Sequence, residues 1–335
     1  MIVLGIESSC DDTAAAVVKD GRKILSNVVS SQIDFHKKYG GVVPEIASRK
    51  HVESILPVIK EALESAKLTL DDIEGIAVTR GPGLVGSLLI GISVAKSISY
   101  VKKLPLIGIN HIEGHLNAIF LEEEDVQFPF IGLVVSGGHT NLYHVRAIGN
   151  YTFLGQTRDD AAGEAFDKVA KLLGLGYPGG MIIDKMAKEG NAAAIKFPRA
   201  LLSKDSLDFS FSGVKTAVLH YVKRQGGEIS NDHIKDIVAS FQEAVVDVLV
   251  TKLLKAARQH EVSRVVLAGG VAANTRLREK LLAQSEEENV RVSVPSPQLC
   301  TDNAAMIAAI GNYYLTQGIT SPLTLNASSR LPLGN

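Results

Sequence analysis

Two histidines four residues apart, His111 and His115, are the strongest chemical signal in this chain of 335 residues. On a helix, side chains at positions i and i+4 share a face, so the two imidazoles would form a pair of metal ligands. Zinc proteases of the H-E-x-x-H type have their general-base Glu directly after the first His, and here Ile112 occupies that position. Glu113 follows on another side of the helix. The sequence therefore favours a metal site and argues against a metalloprotease.

A third metal ligand must come from elsewhere in the chain, because two histidines alone make a weak site. Asp302 is the best candidate, since it would complete a site of two histidines and a carboxylate with open positions for substrate. Cys300 is a softer alternative ligand. Thr301 or Asp302 could instead cap a helix predicted at 304–315, and the residues alone favour that interpretation. The histidines that we expect to be surface or packed residues are His36, His51, His139 and His144.

The composition is that of a large globular protein. With 46% hydrophobic residues, the chain can bury enough core for two domains. A net charge of −1 gives no overall attraction to nucleic acid, so RNA contact would require a local basic patch or a partner protein. Two cysteines form no disulfide framework, which favours a reducing, cytoplasmic compartment.

The sequence predicts neither a signal peptide nor a membrane span. The first residues carry no basic leader and reach an acidic residue at Glu7. The most apolar long stretch, residues 83–100, contains three glycines, four serines and Lys96. We therefore predict a buried helix there.

A strand–turn–strand pattern occurs twice. The first copy spans residues 2–18 with its polar turn at 7–13, and the second spans 130–145 with its turn at 136–139. The copies align without gaps at an offset of 127 residues, which pairs Gly5 with Gly132, Ser9 with Ser136 and Thr13 with Thr140. This pattern favours an internal duplication.

Each copy is followed by a strand, a glycine turn and a helix. Residues 75–79 lead into a helix at 84–100, and residues 264–267 lead into a helix through Arg278 and Leu282. A strand that ends at a glycine turn and a helix N-terminus is a natural phosphate site. Two such α/β halves suggest a nucleotide held in a cleft between them.

Apolar residues at helical spacing predict two more long helices. They span residues 46–67 and 233–259. Pro57 lies inside the first of them and is expected to bend or break it.

The two polar turns are candidate anion sites. In the second turn, paired glycines would let backbone N–H groups approach an anion, and Ser136 and Thr140 add hydroxyl donors. An ordinary hairpin is the alternative. In the first turn, Asp11 and Asp12 could hold Mg²⁺ through water, or Asp11 could accept a proton. Ordinary turn chemistry explains these aspartates equally well.

Two glycine-rich segments could contact a nucleoside. In residues 268–274, small side chains would let a flat base lie against the backbone, and Asn274 offers both a donor and an acceptor, or a helix cap. Residues 174–180 form a tight loop that leads into a helix with Asp184. This loop could cover a ribose or base, or serve only as a connection.

Three acidic residues are predicted on one helical face: Asp160, Glu164 and Asp167. Near a nucleotide, Asp167 would be a candidate ribose ligand. From spacing alone, a solvated acidic face is the favoured interpretation.

Together these motifs resemble the TsaD family. The segments that carry the resemblance are residues 5–13, 44–49, 80–84, 110–115, 135–140, 209–213 and 267–274. They occur in the family's order, and the resemblance runs from about residue 2 to residue 315. It implies an α/β fold of the actin/Hsp70/sugar-kinase class, with two duplicated ribonuclease-H-like lobes around a nucleotide cleft. We predict an N-terminal lobe at 1–105, joined by a returning helix at about 304–325, and a C-terminal lobe at 106–303.

The resemblance also implies a reaction. The family transfers a threonylcarbamoyl group from threonylcarbamoyl-AMP to the N6 amine of the adenosine next to the anticodon, in tRNAs that read A-starting codons, and releases AMP. The family's metal ligands match His111, His115 and Asp302. Its substrate contacts match Val134, Val135, Ser136, Gly137, Gly138, Asp167, Gly180, Asp184 and Asn274.

The resemblance further implies cofactors and partners. The metal is expected to be one Fe²⁺ per subunit, with Zn²⁺ as the alternative, and Mg²⁺ could accompany the nucleotide. The expected partners are tRNA, a paralogous TsaB-like subunit and a small TsaE-like ATPase, without a membrane. Two other functions stay open: an ATP-dependent small-molecule phosphotransferase of the same fold, and a non-catalytic nucleotide-binding scaffold.

Overall fold

The computed structural model describes residues 1–200, 206–227 and 229–334. The strands in these ranges are Ile2–Glu7 (β1), Asp12–Lys19 (β2), Lys23–Ser31 (β3), Gly75–Gly81 (β4), Leu106–Asn110 (β5), Phe130–Val135 (β6), Thr140–Ala147 (β7), Asn150–Gln156 (β8), Arg264–Ala268 (β9) and Arg291–Ser293 (β10). The α-helices are Ile33–His36 (α1), Pro44–Ala66 (α2), Val85–Lys102 (α3), His111–Asn117 (α4), Ala162–Leu172 (α5), Gly179–Ala187 (α6), Ser212–Arg224 (α7), Asn231–Gln259 (α8), Thr275–Glu287 (α9), Pro297–Cys300 (α10) and Ala305–Thr316 (α11).

The chain forms two compact units. Unit 1 contains Met1–Val126 and Thr301–Leu333, and unit 2 contains Gln127–Cys300 together with Gly334. Strand β5 pairs with β4, so the first sheet continues beyond residue 105. The predicted lobe boundaries at residues 105 and 303 stay a prediction. The two units are defined by how compactly their residues pack, and compact packing does not show that a lobe folds independently.

The two units contain sheets of the same topology. The strand order is β3-β2-β1-β4-β5 in unit 1 and β8-β7-β6-β9-β10 in unit 2, with antiparallel hairpins first and parallel strands after them. The registers also agree, since Glu7 pairs with Ala14 and Val134 pairs with Asn141. Each residue of the first pair lies 127 positions before its counterpart in the second pair, which is the offset that aligns the sequence motifs. The duplicated α/β architecture predicted from the sequence is confirmed.

In unit 1, the sheet is covered by helices on both faces. Leu4 and Ile6 of β1 belong to a buried cluster with residues of α2 and α3. Gly5, between them, faces the opposite side, where a side chain would collide with Ala304 and Ala308 at the start of α11. Helix α11 therefore returns to the first sheet at close backbone distance.

Helix α3 is long and apolar enough, by length and composition alone, to cross a membrane. It packs against β4 and α2, and it buries Leu88, Ile92 and Ala95 in the core of unit 1. The predicted core helix is confirmed.

Pro57 was expected to bend or break its helix; the break is wrong, and the bend stays a prediction. Helix α2 runs without a break from Pro44 to Ala66. A proline inside a helix removes one backbone donor, but the buried side chains of Ile55, Val58 and Ile59 on either side bind the helix to the core.

In unit 2, α8 is the central helix. It runs from Asn231 to Gln259, close to the predicted 233–259, and most of its side chains are buried. Phe241 of α8 packs edge-on against Phe166 of α5, with ring centroids 5.3 Å apart. This core supports the loops at the carboxyl ends of β6 and β9.

Candidate metal centre and substrate pocket

Helix α4 begins directly at the end of β5 because Asn110 caps it. The Oδ1 atom of Asn110 accepts hydrogen bonds from the backbone N–H groups of Ile112 (2.9 Å) and Glu113 (3.4 Å). All seven residues of the helix are buried. Its one-turn spacing places the rings of His111 and His115 edge to face, with centroids 4.6 Å apart.

Asp302, from the segment before α11, brings its carboxylate to both histidines. Its Oδ1 atom lies 3.2 Å from Nε2 of His115 and 3.5 Å from Nε2 of His111. The favoured alternative, a helix cap by Thr301 or Asp302, is wrong. The N-cap residue of α11 is Ala304, and Oδ1 of Asn303 accepts a hydrogen bond from the N–H of Met306.

These three residues could hold a metal ion. One donor atom from each of His111, His115 and Asp302 lies within 4.8 Å of the others. Two imidazoles and one carboxylate form a donor set for a transition metal that leaves coordination positions for substrate. The donor set therefore fits a metal. Cys300, the softer alternative, is not in this group of three, and its Sγ lies 3.2 Å from the carbonyl oxygen of Pro295.

Glu7 is the site residue that sequence reasoning missed. Its carboxylate is fully buried at the end of β1, and Oε2 lies 2.9 Å from Nδ1 of His111. The sequence signal that could have identified Glu7 is its position as the one acidic residue at the end of an otherwise apolar strand. Burial opposes a charge on His111, but the carboxylates of Glu7 and Asp302 outweigh it and raise the pKa of His111 to about 9. Burial opposes ionisation of Glu7 as well, yet the neighbouring His111 lowers the pKa of this carboxyl group.

The polar turn after β1 is held by His51 of α2. Nδ1 of His51 lies 2.8 Å from the Thr13 hydroxyl, and Nε2 lies 2.9 Å from the carbonyl oxygen of Cys10. His51 is buried, in agreement with its expected packing role. The two aspartates of this turn resist ionisation: burial, and then the charge of Asp302, raise the pKa of Asp12 to about 7. Burial also raises the pKa of Asp11.

Unit 2 contains a cavity of about 210 Å³ at the carboxyl ends of β6 and β9. Its lining consists of Gly137, Gly163, Phe166, Asp167, Pro178, Gly180, Met181, Asp184, Gly270, Val271, Ala273 and Asn274. Five predicted substrate contacts are thus brought together: Gly137, Asp167, Gly180, Asp184 and Asn274. Of the others, Val134 and Val135 are buried in β6, while Ser136 and Gly138 lie in the adjoining turn. Their roles as substrate contacts stay predictions.

The turn after β6 is a tight hairpin. The N–H of Ser136 donates to the carbonyl oxygen of His139 (2.8 Å), and the N–H of His139 donates to Oγ of Ser136 (3.1 Å). The N–H of Gly163 donates to the carbonyl oxygen of Ser136, and a side chain at Gly163 would collide with Gly137. The start of α5 therefore packs directly on the hairpin, which is both a structural turn and a wall of the cavity.

The polar groups around the cavity are fixed by the backbone. Asp167 accepts a hydrogen bond from the N–H of Gly179 (2.7 Å), and Asp184 accepts bonds from the N–H and hydroxyl of Thr275. Asn274 caps α9, and its Nδ2 donates to Gln242 (2.7 Å). The position of Asn274 is therefore compatible both with a helix cap and with contact to a nucleoside.

One part of the predicted acidic face is wrong. Asp160 precedes α5, which begins at Ala162, so it does not share a helical face with Glu164 and Asp167. Asp160 instead pairs with Lys168 (2.7 Å) and Lys215 (2.6 Å). These two ammonium groups neutralise it.

Comparison with known proteins identifies the family. The family model "TsaD: tRNA N6-adenosine threonylcarbamoyltransferase" matches residues 23–309. A curated tRNA N6-adenosine threonylcarbamoyltransferase of Syntrophus aciditrophicus (strain SB) is 62% identical over 333 residues, which cover 99% of this chain and 98% of that protein. The chain belongs to the TsaD family. A second TsaD relative, from Clostridium perfringens (strain 13 / Type A), is 57% identical over 99% of this chain and 98% of its own length. The predicted family and enzyme class are confirmed.

Solved structures support the fold assignment of this TsaD chain. Component A of (R)-2-hydroxyglutaryl-CoA dehydratase from Acidaminococcus fermentans matches with a TM-score of 0.55 at 18% identity, covering 94% of this chain and 99% of that one. Full-length HypF, in a phosphate- and nucleotide-bound form, matches with a TM-score of 0.63 at 15% identity, covering 94% of this chain and 55% of that one. At these identities the likeness concerns the fold alone, and the predicted actin/Hsp70/sugar-kinase class is confirmed.

Proposed function

We propose that this chain transfers the threonylcarbamoyl group of threonylcarbamoyl-AMP to N6 of the adenosine next to the anticodon, in tRNAs that read A-starting codons. The N6 lone pair attacks the carbamoyl carbonyl carbon, the bond from that carbon to the phosphate oxygen breaks, and AMP leaves with the electron pair. One N6 proton passes to a base. The observation that carries this proposal is the convergence of His111, His115 and Asp302 on one point in a chain of this family.

His111, His115 and Asp302 would hold the metal, which we propose to be Fe²⁺ with Zn²⁺ as the alternative. Two histidines and one carboxylate with open positions are the typical ligands of non-haem Fe²⁺. A divalent metal bound there would supply Lewis acidity to the donor's oxygen atoms. The remaining catalytic contribution is positioning, because AMP is a good leaving group and an exocyclic purine amine is a poor nucleophile.

The cavity of unit 2 would hold the nucleoside of the donor. At about 210 Å³ it is smaller than the roughly 300–1,000 Å³ of pockets that enclose a whole drug-sized ligand, so it suits part of the acyl-nucleotide. The carboxylates of Asp167 and Asp184 are acceptors suited to ribose hydroxyls, and Asn274 can pair with a base edge. The backbone of Val134, Val135, Ser136, Gly137 and Gly138 would bind the phosphate, and the small lining residue Gly180 leaves room for the ribose.

Asp11 is the proposed proton acceptor. Its pKa is raised by burial, which increases the proton affinity of the carboxylate. Its neighbour Asp12, with a pKa near 7, is the second candidate for the same role. Either carboxylate could also bind Mg²⁺ through water when nucleotide is present.

We propose that the chain acts in the cytoplasm with tRNA, a TsaB-like subunit and a TsaE-like ATPase. A balanced net charge supports the need for partners in tRNA binding. Exposed apolar side chains on two adjacent helices of unit 1 support a protein partner: Val52 and Leu56 on α2, and Val85 and Leu89 on α3.

Reconstitution tests the proposal. The metal-loaded chain is incubated with threonylcarbamoyl-AMP and unmodified tRNA, with and without the two partners, and the digested tRNA is analysed by mass spectrometry. We expect threonylcarbamoyladenosine and AMP to form in equal amounts. Phosphorylation of a small molecule by ATP in the absence of tRNA, without modified nucleoside, would instead support the phosphotransferase.

A further inference from the structure

We propose that Glu7 is a positioning residue for the metal site: its carboxylate binds Nδ1–H of His111 and so directs Nε2 of that ring towards Asp302 and the metal. This inference rests on the proposed metal-binding role of His111. Glu7 lies outside the set of three donors, and it would act through His111 alone.

The carboxylate is held rigidly before it meets the histidine. Its side chain is fully buried, and Oε2 accepts a hydrogen bond from the hydroxyl of Thr79 on the neighbouring strand β4 (2.6 Å). Oε1 accepts a bond from the backbone N–H of Ser9 (2.6 Å). Two donors from different chain segments, one on each oxygen, thus fix the carboxylate whose Oε2 lies 2.9 Å from Nδ1 of His111.

A carboxylate at Nδ1 determines which ring nitrogen can bind metal. Since an ionised carboxylate only accepts hydrogen bonds, Nδ1 of His111 must carry the proton, and the lone pair of the neutral ring is then on Nε2. That nitrogen lies 3.5 Å from Oδ1 of Asp302. Carboxylates that bind the second nitrogen of a histidine ligand fix its tautomer and orientation and strengthen it as a ligand.

His115 provides a contrast within the same helix. Its Nε2 also faces Asp302, at 3.2 Å, but its buried Nδ1 has no hydrogen-bond partner among the described residues. The carboxylate support is therefore specific to one of the two ligands. We expect His111 to be the more strongly oriented of the pair.

The duplicated sheet indicates that the fold itself does not need a carboxylate at this position. Glu7 of β1 corresponds in register to Val134 of β6, which is fully buried without a charge. Burying a carboxylate in place of an apolar side chain costs free energy unless its hydrogen bonds and charge are satisfied. The ring of His111 is the partner that explains the difference between the two units.

Zinc titration of two glutamine variants tests the inference. Glu7→Gln keeps the shape but removes the charge, and Glu113→Gln is the matched control. Glu113 is also buried and lies between the two histidines, but its Oε1 accepts from the hydroxyl of Tyr314 (2.5 Å). The metal-free proteins are titrated with Zn²⁺ against a chromophoric chelator. We expect Glu7→Gln to weaken Zn²⁺ binding by about 10–100-fold and Glu113→Gln to bind like the wild type.

Two further measurements guard against a general effect on folding. In the Zn²⁺-loaded wild type, NMR should show a slowly exchanging Nδ1–H proton on His111, and this resonance should shift in Glu7→Gln. Thr79→Val, which removes one donor to Glu7, should weaken Zn²⁺ binding less than Glu7→Gln does. Unchanged Zn²⁺ affinity in Glu7→Gln, or an equal loss in both glutamine variants, overturns the inference.

The outcome for His111→Ala separates this inference from the proposed function. If His111→Ala loses Zn²⁺ while Glu7→Gln keeps wild-type affinity, only the role of Glu7 fails. If His111→Ala binds Zn²⁺ like the wild type, the metal-binding role of His111 fails and the role of Glu7 fails with it.

Discussion

The acidic side chains of unit 1 near the histidines have different environments, and this suggests different tasks. Asp302 has one oxygen close to both imidazoles, which lie 3.5 and 3.2 Å from it. Asp11 and Asp12 are half-buried on the turn after β1, and burial raises the pKa of both. The first environment suits a metal ligand, and the second suits a group that exchanges protons.

Two isosteric substitutions should separate these tasks. Asp302→Asn removes a charged ligand, so we expect loss of both bound metal and tRNA modification. Asp11→Asn removes the proposed base, so we expect metal content like that of the wild type and at least about a 100-fold lower rate of transfer. Metal analysis of the purified proteins and a single-turnover assay with threonylcarbamoyl-AMP measure the two properties. Full activity of Asp11→Asn would show that Asp11 is not the proton acceptor and would leave Asp12 or solvent in that role.

Sequence reasoning found the three residues of the candidate metal site but not the residues that position them. His111 and His115 are recognisable because helical spacing is local, and Asp302 is a natural third ligand by chemistry. The cap by Thr301 or Asp302 was wrongly favoured, because helical spacing alone does not show that α11 begins at Ala305. Glu7 contacts a residue more than a hundred positions away, and no local pattern reports such a contact.

At the level of elements, the start of α11 is tightly fitted to β1. Gly5→Ala would push a methyl group into the carbonyl oxygen of Ala304 and into Ala308. We expect a loss of stability of about 1–3 kcal/mol, as for overpacked cores, together with weaker metal binding, because Asp302 lies just before the displaced backbone. Thermal unfolding and Zn²⁺ titration measure the two effects.

Gly213→Ala is the matched control for this substitution. Gly213 lies in α7, and an added methyl group there meets no atom within 4 Å. Alanine should leave stability unchanged or raise it by up to about 1 kcal/mol. A Gly5→Ala protein as stable as the wild type would contradict the close fit of α11 on β1.

Helices α8 and α9 are joined by a charge network whose contribution should depend on pH. Hydrogen bonds from Arg276 (2.7 and 2.9 Å), and then from Lys280 (2.6 Å), lower the pKa of Glu243 to about 2. A lowered carboxyl pKa stabilises the folded state above the normal value of 4.5, and this stabilisation is lost as the pH falls towards 2. Glu243→Gln should therefore cost about 2 kcal/mol at pH 7 and progressively less below pH 4.5. Urea unfolding of both proteins from pH 7 to pH 3 measures this difference, and a cost that does not fall with pH would contradict the assignment.

The long helix α8 and the strands next to the polar turns could be predicted from the sequence, whereas β3, β5, β8 and β10 were not predicted. Helix α8 and the strands next to the polar turns have apolar patterns long enough to recognise. Strands β5 and β10 have only five and three residues, and each pairs in parallel at the edge of a mixed sheet. The position of Asp160 outside α5 was missed because helical spacing does not show where a helix begins.

At the scale of the whole molecule, the exposed apolar side chains of α2 and α3 should matter for assembly and not for folding. Leu56 is 62% exposed on α2, so Leu56→Asp should leave stability and metal content unchanged and weaken association with a TsaB-like subunit. Leu282→Asp is the matched control, because Leu282 is a similarly exposed leucine on α9 of unit 2. Co-purification and tRNA modification with partners measure the effect. Equal association by both variants would direct the search for the partner surface elsewhere.

The duplication could be predicted because both copies retain the same short polar turns at one offset. The structure adds that even the pairing registers agree. Helix α11 packs against β1 and β4, and the predicted lobe with its returning helix stays a prediction. The boundary near residue 105 was harder to place, because β5 joins the first sheet through contacts that leave no composition change in the chain.

The distance in sequence between the proposed metal ligands has a consequence for biosynthesis. His115 and Asp302 are 187 residues apart, so the ribosome completes one ligand pair long before the third ligand exists. At roughly 5–20 residues per second, synthesis of Asp302 follows that of His115 by about 10–40 s. Helix α11, which packs against β1 and β4, is made later still. A prematurely terminated product would therefore lack a complete metal site, and loading with metal would report that translation had passed residue 302.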